Sequence, residues 1–298
     1  MEGLTTPVLL IAFNRPDTAS AVFETIRRAR PQKLFMFVDA PRTDRPEETV
    51  LCEETKSIIK KVDWPCDVHT LFPDENLGAG RGPAKAITWF FENVESGIIL
   101  EDDCVPNDSF FKFSEEMLER YKDDERIMVV SGNNFQEGHM RGDASYYFSV
   151  YPNTWGWATW RRAWKHFSYT IEPLAHLESI VGKEAIGHWD EAFRSVQGGT
   201  RKDVWDYQWV HAVWTHKGLS VVPNKNLVSN IGHGEVATHT KKMDTRALEL
   251  PREEMLFPLV HPSSITSDKK ADQFLFKNFF QRNIGRRQKI KNFIQRLI

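Results

Sequence analysis

One short apolar run that stops abruptly in three acids constrains this chain more than any other stretch. Gly97-Ile98-Ile99-Leu100 leads directly into Glu101-Asp102-Asp103-Cys104. An apolar, β-branched run bounded by glycine predicts a strand covered on both faces, as in a parallel sheet. No apolar neighbour can shield three successive carboxylates, so the chain must leave the core at Glu101. That puts the acids at the carboxyl end of a central strand, the edge at which open α/β sheets bind ligands. Successive strand residues point to opposite faces, so these side chains diverge unless the chain turns there. Crowded carboxylates repel one another, and a hard divalent cation with oxygen ligands accounts for them. An acidic triplet also fits the solvated start of a loop. The buried strand before it, and a helix opened by Pro106-Asn107-Asp108, favour the cation.

Upstream, Pro7 to Phe13 is another fully buried strand candidate. Asn14-Arg15-Pro16-Asp17 follows, with Pro16 placed to open a helix to about Arg28. Lys33 to Asp39 is a strand that again ends in an acid. Glu47 to Lys61 has helical spacing, Asp67 to Phe72 is a shorter strand, and Ala84 to Val94 is helical. Strands alternating with helices predict right-handed βαβ crossovers and a parallel sheet, a Rossmann-like half-domain. Arg15, Asp39 and the acidic triplet then line one crevice. Arginine for phosphate, aspartate for base or ribose and a cation for a diphosphate point to a nucleotide. The G-x-G-x-x-G fingerprint and the P-loop are both missing. The glycine-rich Gly78-Ala79-Gly80-Arg81-Gly82-Pro83 lacks the P-loop lysine. It fits close backbone approach to a ligand or a flexible turn equally well.

Beyond the triplet, Phe110 to Tyr121 predicts a helix with Phe110, Phe113, Met117 and Tyr121 as packing residues. Ile127 to Gly132 is a strand running to the polar Asn133-Asn134. Aromatics crowd the stretch from Tyr146 to Trp164, where Trp155-Gly156-Trp157-Ala158 predicts a helix start approaching the crevice. Most tryptophans bury a core, but aromatics beside a polar site also suit the apolar faces of sugar rings. Trp155 and Trp157, flanking a glycine, are the candidates for that role. Arg201 to Trp209 predicts the start of another helix, with Asp203 as its N-cap. Asp206 can face away from the stripe formed by Trp205, Trp209 and Val213. Partial desolvation there would raise its pKa towards the range of a general base, although an ordinary exposed aspartate has the same sequence. Leu219 to Pro223 is a late strand. His233 and His239, in a glycine-bearing loop, are candidate metal or diphosphate ligands.

A net charge of -2 is not the balance of a nucleic-acid binder. Lys277 to Ile298 holds seven basic residues and no acid, so the remainder is distinctly acidic. Apolar residues recur there at helical spacing, predicting a basic amphipathic helix over 276–298 that fits an anionic membrane surface or a protein face. Residues 244–275 read as a peripheral linker. No apolar run approaches the roughly 18 residues that span a bilayer. Cys52, Cys66 and Cys104 form no CxxC pair and suit a reducing cytoplasm. The expected location is cytoplasmic, with peripheral contact at the inner face of the membrane.

In their order these pieces resemble glycosyltransferases of the nucleotide-sugar-binding GT-A fold. The likeness is to the branch containing the animal N-acetylglucosaminyltransferase I enzymes and to bacterial sugar transferases labelled haemolysin-like. It is carried by Ala12-Phe13-Asn14-Arg15, Val38-Asp39, Glu101-Asp102-Asp103 as an acidic form of the DxD motif, and Trp205-Asp206, within about Pro7 to Thr240. The resemblance implies an α/β, Rossmann-like nucleotide-diphospho-sugar transferase fold with a mostly parallel central sheet over 1–243. Its nucleotide-binding half would be about 1–104 and its acceptor half about 105–243. Arg15 would contact the donor diphosphate, Asp39 the base (uracil expected), Glu101 the donor sugar and Asp102 the ribose. Asp103 would ligate Mn2+ or Mg2+, and Arg81 joins the nucleotide-sugar-binding candidates. Asp206 would deprotonate the acceptor hydroxyl, with inversion at the anomeric carbon. The segment reads Trp-Asp-Tyr-Gln-Trp, where the animal enzymes have consecutive acids before the second tryptophan, so Asp203 is the reserve base. The expected partners are a nucleotide-sugar donor and a glycan or lipid-linked acceptor, in the manner of cell-surface polysaccharide synthesis. A sugar nucleotidyltransferase and a non-catalytic nucleotide-sugar- or carbohydrate-binding protein remain the alternatives.

Overall fold

In the computed structural model, which describes residues 3–232 and 250–281, the apolar runs become strands of one sheet. β1 (Val8–Ala12), β2 (Lys33–Val38), β3 (Asp67–Leu71) and β4 (Ser96–Glu101) pair in parallel in the order β3-β2-β1-β4. The crossovers are α1 (Pro16–Ala29), α2 (Glu48–Ser57, continued by a 3-10 turn Ile58–Lys61) and α3 (Gly78–Asn93). Pro16 opens α1 because its fixed φ suits a first helical turn and its missing N–H would have had no partner there.

The chain then makes β5 (Cys104–Pro106), α4 (Asp108–Arg120), β6 (Ile127–Ser131), β7 (Tyr146–Ser149) and β8 (Trp157–Trp160). Helices α5 (Arg161–Trp164), α6 (Leu177–Val181), α7 (Ile186–Gln197) and α8 (Asp206–Thr215) lead to β9 (Leu219–Pro223) and β10 (Val228–Asn230). The eight-stranded sheet runs β3-β2-β1-β4-β8-β6-β9-β7, and β5 pairs with β10 in a separate ribbon. β8 enters antiparallel between β4 and β6. The architecture is mixed α/β with a large, mostly parallel central sheet, as the resemblance implied.

Strand alternation divides the core in two. Val8, Leu10 and Leu100 face Phe23, Phe110 and Phe113 on one side. Leu9, Ile11 and Ile99 face Phe90, Trp157 and Trp209 on the other. Asn107 caps α4 by accepting the Phe110 N–H at 3.1 Å, which satisfies a donor the helix itself cannot.

Three expectations change. Helix α3 begins at Gly78 and not at Ala84, so the glycine-rich stretch is its first turn and not a loop. Trp155-Gly156-Trp157 opens strand β8, not a helix: hydrogen bonds from both β4 and β6 decide it, whatever the local pattern. The described part of the expected linker is docked on the domain. Met255 and Leu259 are buried, Ser145 N–H donates to Val260 C=O, and a helix over Lys269–Leu275 follows. Irregular backbone anchored by scattered apolar residues leaves no periodicity to read. Among the described residues no helix is long and apolar enough to cross a membrane. His233, His239 and the tail beyond Gln281 lie outside the described residues.

Candidate functional site

The strand geometry splits the acidic triplet. Glu101 is the last residue of β4, on the same face as Ile99, and turns towards the side of α8. Asp102 and Asp103 sit in the turn that follows, on the side of the loop after β1. There Arg15 donates to Asp102 and, at 3.0 Å, to Asp103 Oδ2. The Phe13 N–H donates to Asp102 Oδ2 at 3.3 Å. β1 and β4 are neighbours in the sheet, so the chain leaving each must meet the other.

Burial works against the Arg15 charge, but the carboxylates of Asp102 and Asp103 outweigh it and hold the guanidinium firmly protonated. Burial pushes the Asp102 carboxyl up, and Arg15 pulls it back. Glu101 is raised by burial, then by the charges of Asp103 and Asp102, with a further contribution from Asp206. Asp206 is exposed at the first position of α8, and its charge reaches Glu101 although their sequence numbers lie far apart. The structure therefore brings Arg15, Asp102 and Asp103 together at one edge of the sheet, with Glu101 next to them and Asp206 within electrostatic reach of Glu101.

Asp39, expected at the base, is bound within the chain to the start of α3. Its buried carboxylate accepts the N–H groups of Leu77 at 3.0 Å, Gly78 at 3.0 Å and Ala40 at 2.9 Å, and the Asn76 amide at 3.2 Å. Burial raises its pKa, and those N–H groups oppose the rise. Asp203 does not cap α8, whose N-cap is Trp205 and which has no side-chain cap. It caps α3, accepting the N–H of Ala79 at 3.0 Å and of Gly80 at 2.6 Å. The first N–H groups of α3 are thus held by two carboxylates from elsewhere in the chain and do not form a free phosphate cradle. Gly80 permits this approach, since a methyl there would come within 2.7 Å of Val204 N.

Trp157 has no accessible surface. It stacks on Trp205 at 5.9 Å and packs on Trp209 at 5.8 Å, so it is core and not a sugar platform. Alternation along β8 points it at the α8 face. Trp155 is partly exposed, with its ring 5.1 Å from Phe135, and retains its place as a candidate. Arg81 is exposed on the first turn of α3.

Two residues that contact Asp103, Asn230 and Gly232, were not singled out in the sequence. Asn230, on β10, donates to Asp103 Oδ1 at 3.1 Å, because the β5–β10 ribbon sets Asn230 against Cys104. Next to it, Gly232 packs so closely on Asp103 that a Cβ would collide with its carboxylate. Asn133, just past β6, is buried with neither amide atom hydrogen-bonded. Short polar runs at strand ends were the only available signal.

Among the described residues no three His, Cys, Asp or Glu side chains converge to hold a metal ion. An all-protein cage is therefore excluded for them. Asp103 is the more exposed of the two acids on Arg15, with 15% of its side chain accessible against 4% for Asp102. It fits the mode in which magnesium or manganese takes one or two carboxylates and completes its shell with phosphate oxygens and water.

No protein-family model matches the chain, and no curated protein matches its sequence. Solved structures do. The inositol-1-phosphate CTP transferase of T. maritima matches at 11% identity over 78% of this chain and 91% of its own, with a TM-score of 0.41. Mouse xyloside xylosyltransferase 1, apo form, matches at 12% identity over 73% and 84%, with a TM-score of 0.35. HddC from Yersinia pseudotuberculosis matches at 11% identity over 53% and 78%, with a TM-score of 0.34.

Proposed function

We propose that the protein is a nucleotide-sugar-dependent glycosyltransferase that inverts configuration at the anomeric carbon. The observation that carries this reading is the Arg15–Asp102–Asp103 cluster at the end of β4, with Glu101 next to it and Asp206 near enough for its charge to act on Glu101. One edge of the sheet then holds a cation for a diphosphate and, nearby, a carboxylate for a hydroxyl proton. Arg15 orients the donor diphosphate. Asp103 would hold Mn2+ or Mg2+, which would supply positive charge to the departing nucleoside diphosphate. Asp206 accepts the proton of the acceptor hydroxyl as its oxygen attacks the anomeric carbon from the face opposite the leaving group. The bond to the diphosphate breaks as the new glycosidic bond forms, and no enzyme nucleophile is needed. Glu101, its proton held by burial and neighbouring acids, is placed as a donor to a sugar hydroxyl. The donor is a UDP-sugar on the resemblance, and the acceptor is a hydroxyl of a glycan or lipid-linked molecule.

The test is a thermal-shift series with nucleoside diphosphates and UDP-sugars, with and without manganese or magnesium, on wild type and Asp103→Ala. A ligand at 100 times its dissociation constant stabilises by about 2.7 kcal/mol. A cation-dependent shift with UDP or a UDP-sugar, absent in Asp103→Ala, is the expected result. Absence of any nucleotide-dependent shift removes the reading. Formation of UTP from UDP-sugar and pyrophosphate would instead assign a nucleotidyltransferase, and retention of anomeric configuration would eliminate Asp206 as base for a direct displacement.

A further inference from the structure

A cleft of about 390 Å³ opens between the first turns of α3 and α8, lined by Arg81, Tyr169, Asp203 and Gln208 with Leu77 and Val204 at its base. Neither Arg15 nor any member of the acidic triplet lines it. Its chemistry is mixed. Tyr169 is 52% exposed, so much of its ring is open to a ligand. Gln208 is only 6% exposed, and its Oε1 is buried with no hydrogen-bond donor. A buried amide oxygen is expensive to leave unmet, so this one calls for a donor from outside the protein. Arg81 lies close enough to Tyr169 for its charge to offset part of the rise that burial gives the phenol.

The positive charge of Arg81 and the negative charge of Asp203 balance, which disfavours a phosphate and suits a neutral ligand. The Gln208 amide oxygen needs a donor from that ligand, and the Asp203 carboxylate, already holding two α3 N–H groups, can accept from it on its remaining lone pairs. A pyrimidine base offers few donors, whereas a sugar ring offers a hydroxyl on nearly every carbon. Its apolar C–H face matches an aromatic ring, and guanidinium, amide and carboxylate groups match its hydroxyls. Gln208 and Asp206 share the first turn of α8.

We propose that this cleft is a carbohydrate subsite that binds a sugar ring of the acceptor. The proposal rests on the transfer reading above, and it can fail separately from it. Saturation-transfer NMR on the full chain, in EDTA, would measure binding of the methyl glycosides of glucose, galactose and N-acetylglucosamine, with uridine as the competing chemistry. The proteins are wild type, Tyr169→Ala and Gln208→Leu. Metal-independent glycoside binding should weaken about fivefold or more in each variant, the size expected for losing a ring contact or a buried hydrogen bond. Tyr169→Ala removes an exposed ring and leaves the fold intact. No glycoside binding to wild type, equal binding in all three proteins, or uridine binding in place of the glycosides overturns the subsite. Glycoside binding in a protein that shows no cation-dependent UDP shift overturns the transfer reading and leaves the subsite standing.

Discussion

Replacing Asp203 by alanine removes both oxygens that cap α3. The Ala79 N–H at 3.0 Å and the Gly80 N–H at 2.6 Å lose a charged acceptor. Hydrogen bonds to a charged group are worth about 1.5–3 kcal/mol each when water cannot replace them. Asp203 is exposed, so water takes over much of that, and the loss falls to the scale of an N-cap, about 0.5–2 kcal/mol. Its backbone adds to this. Asp203 sits at φ 56°, which aspartate and asparagine tolerate better than alanine. The total is about 2 kcal/mol, or about 4 °C in melting temperature for a chain of this size. Asp203→Asn keeps one oxygen and the tolerance for positive φ, and should lose about half as much. Neither change removes a general base if Asp206 holds that role. Calorimetry paired with a UDP-release assay separates the two acids. Asp206→Asn should cut turnover by about 10²–10⁴-fold while melting within about 2 °C of wild type. If Asp203→Asn melts like wild type yet is as inactive as Asp206→Asn, Asp203 is the base and the capping argument is wrong.

Asp272, buried beside Ser149, has its carboxyl pushed up to about 6 from 3.8, mainly by desolvation. Its charge therefore costs nothing below about pH 4, where folded and unfolded chains are both protonated. The penalty grows from there to pH 6 and reaches about 3 kcal/mol above it. Asp272→Asn should raise stability by about 2–3 kcal/mol at pH 7.5 and leave it unchanged at pH 4, and denaturant titrations with equal effects at both pH values would refute this. Gly232→Ala would bring a methyl within 2.7 Å of Asp103 Cβ and onto its carboxylate. The variant should lose about 1–3 kcal/mol of stability and the cation-dependent UDP shift, and an undiminished shift would show that Asp103 does not hold the cation.

The nucleotide-binding half was legible because its signals are local and repeated. Each buried strand is a continuous apolar run, each ends in a polar residue, and Pro16 and Asn107 mark helix starts that need no distant partner. A parallel sheet with short crossovers then brings those polar ends to one edge, so Arg15, Asp39 and the triplet could be grouped from spacing alone. The partnerships within that edge could not. Asp39 reads as a base contact and Asp203 as the cap of its own helix, and the structure shows both bonded to the start of α3, across 38 and 123 residues. Trp155 and Trp157 are two residues apart, but β8, inserted between β4 and β6, sends Trp157 into the core. Asn230 meets Asp103 only because β10 pairs with β5. Apolar pattern fixes which segments are buried and which ends are polar, since transfer from water acts on each residue where it stands. Which carboxylate meets a ligand and which meets a helix end depends on pairings between distant segments, and those form only when the sheet closes.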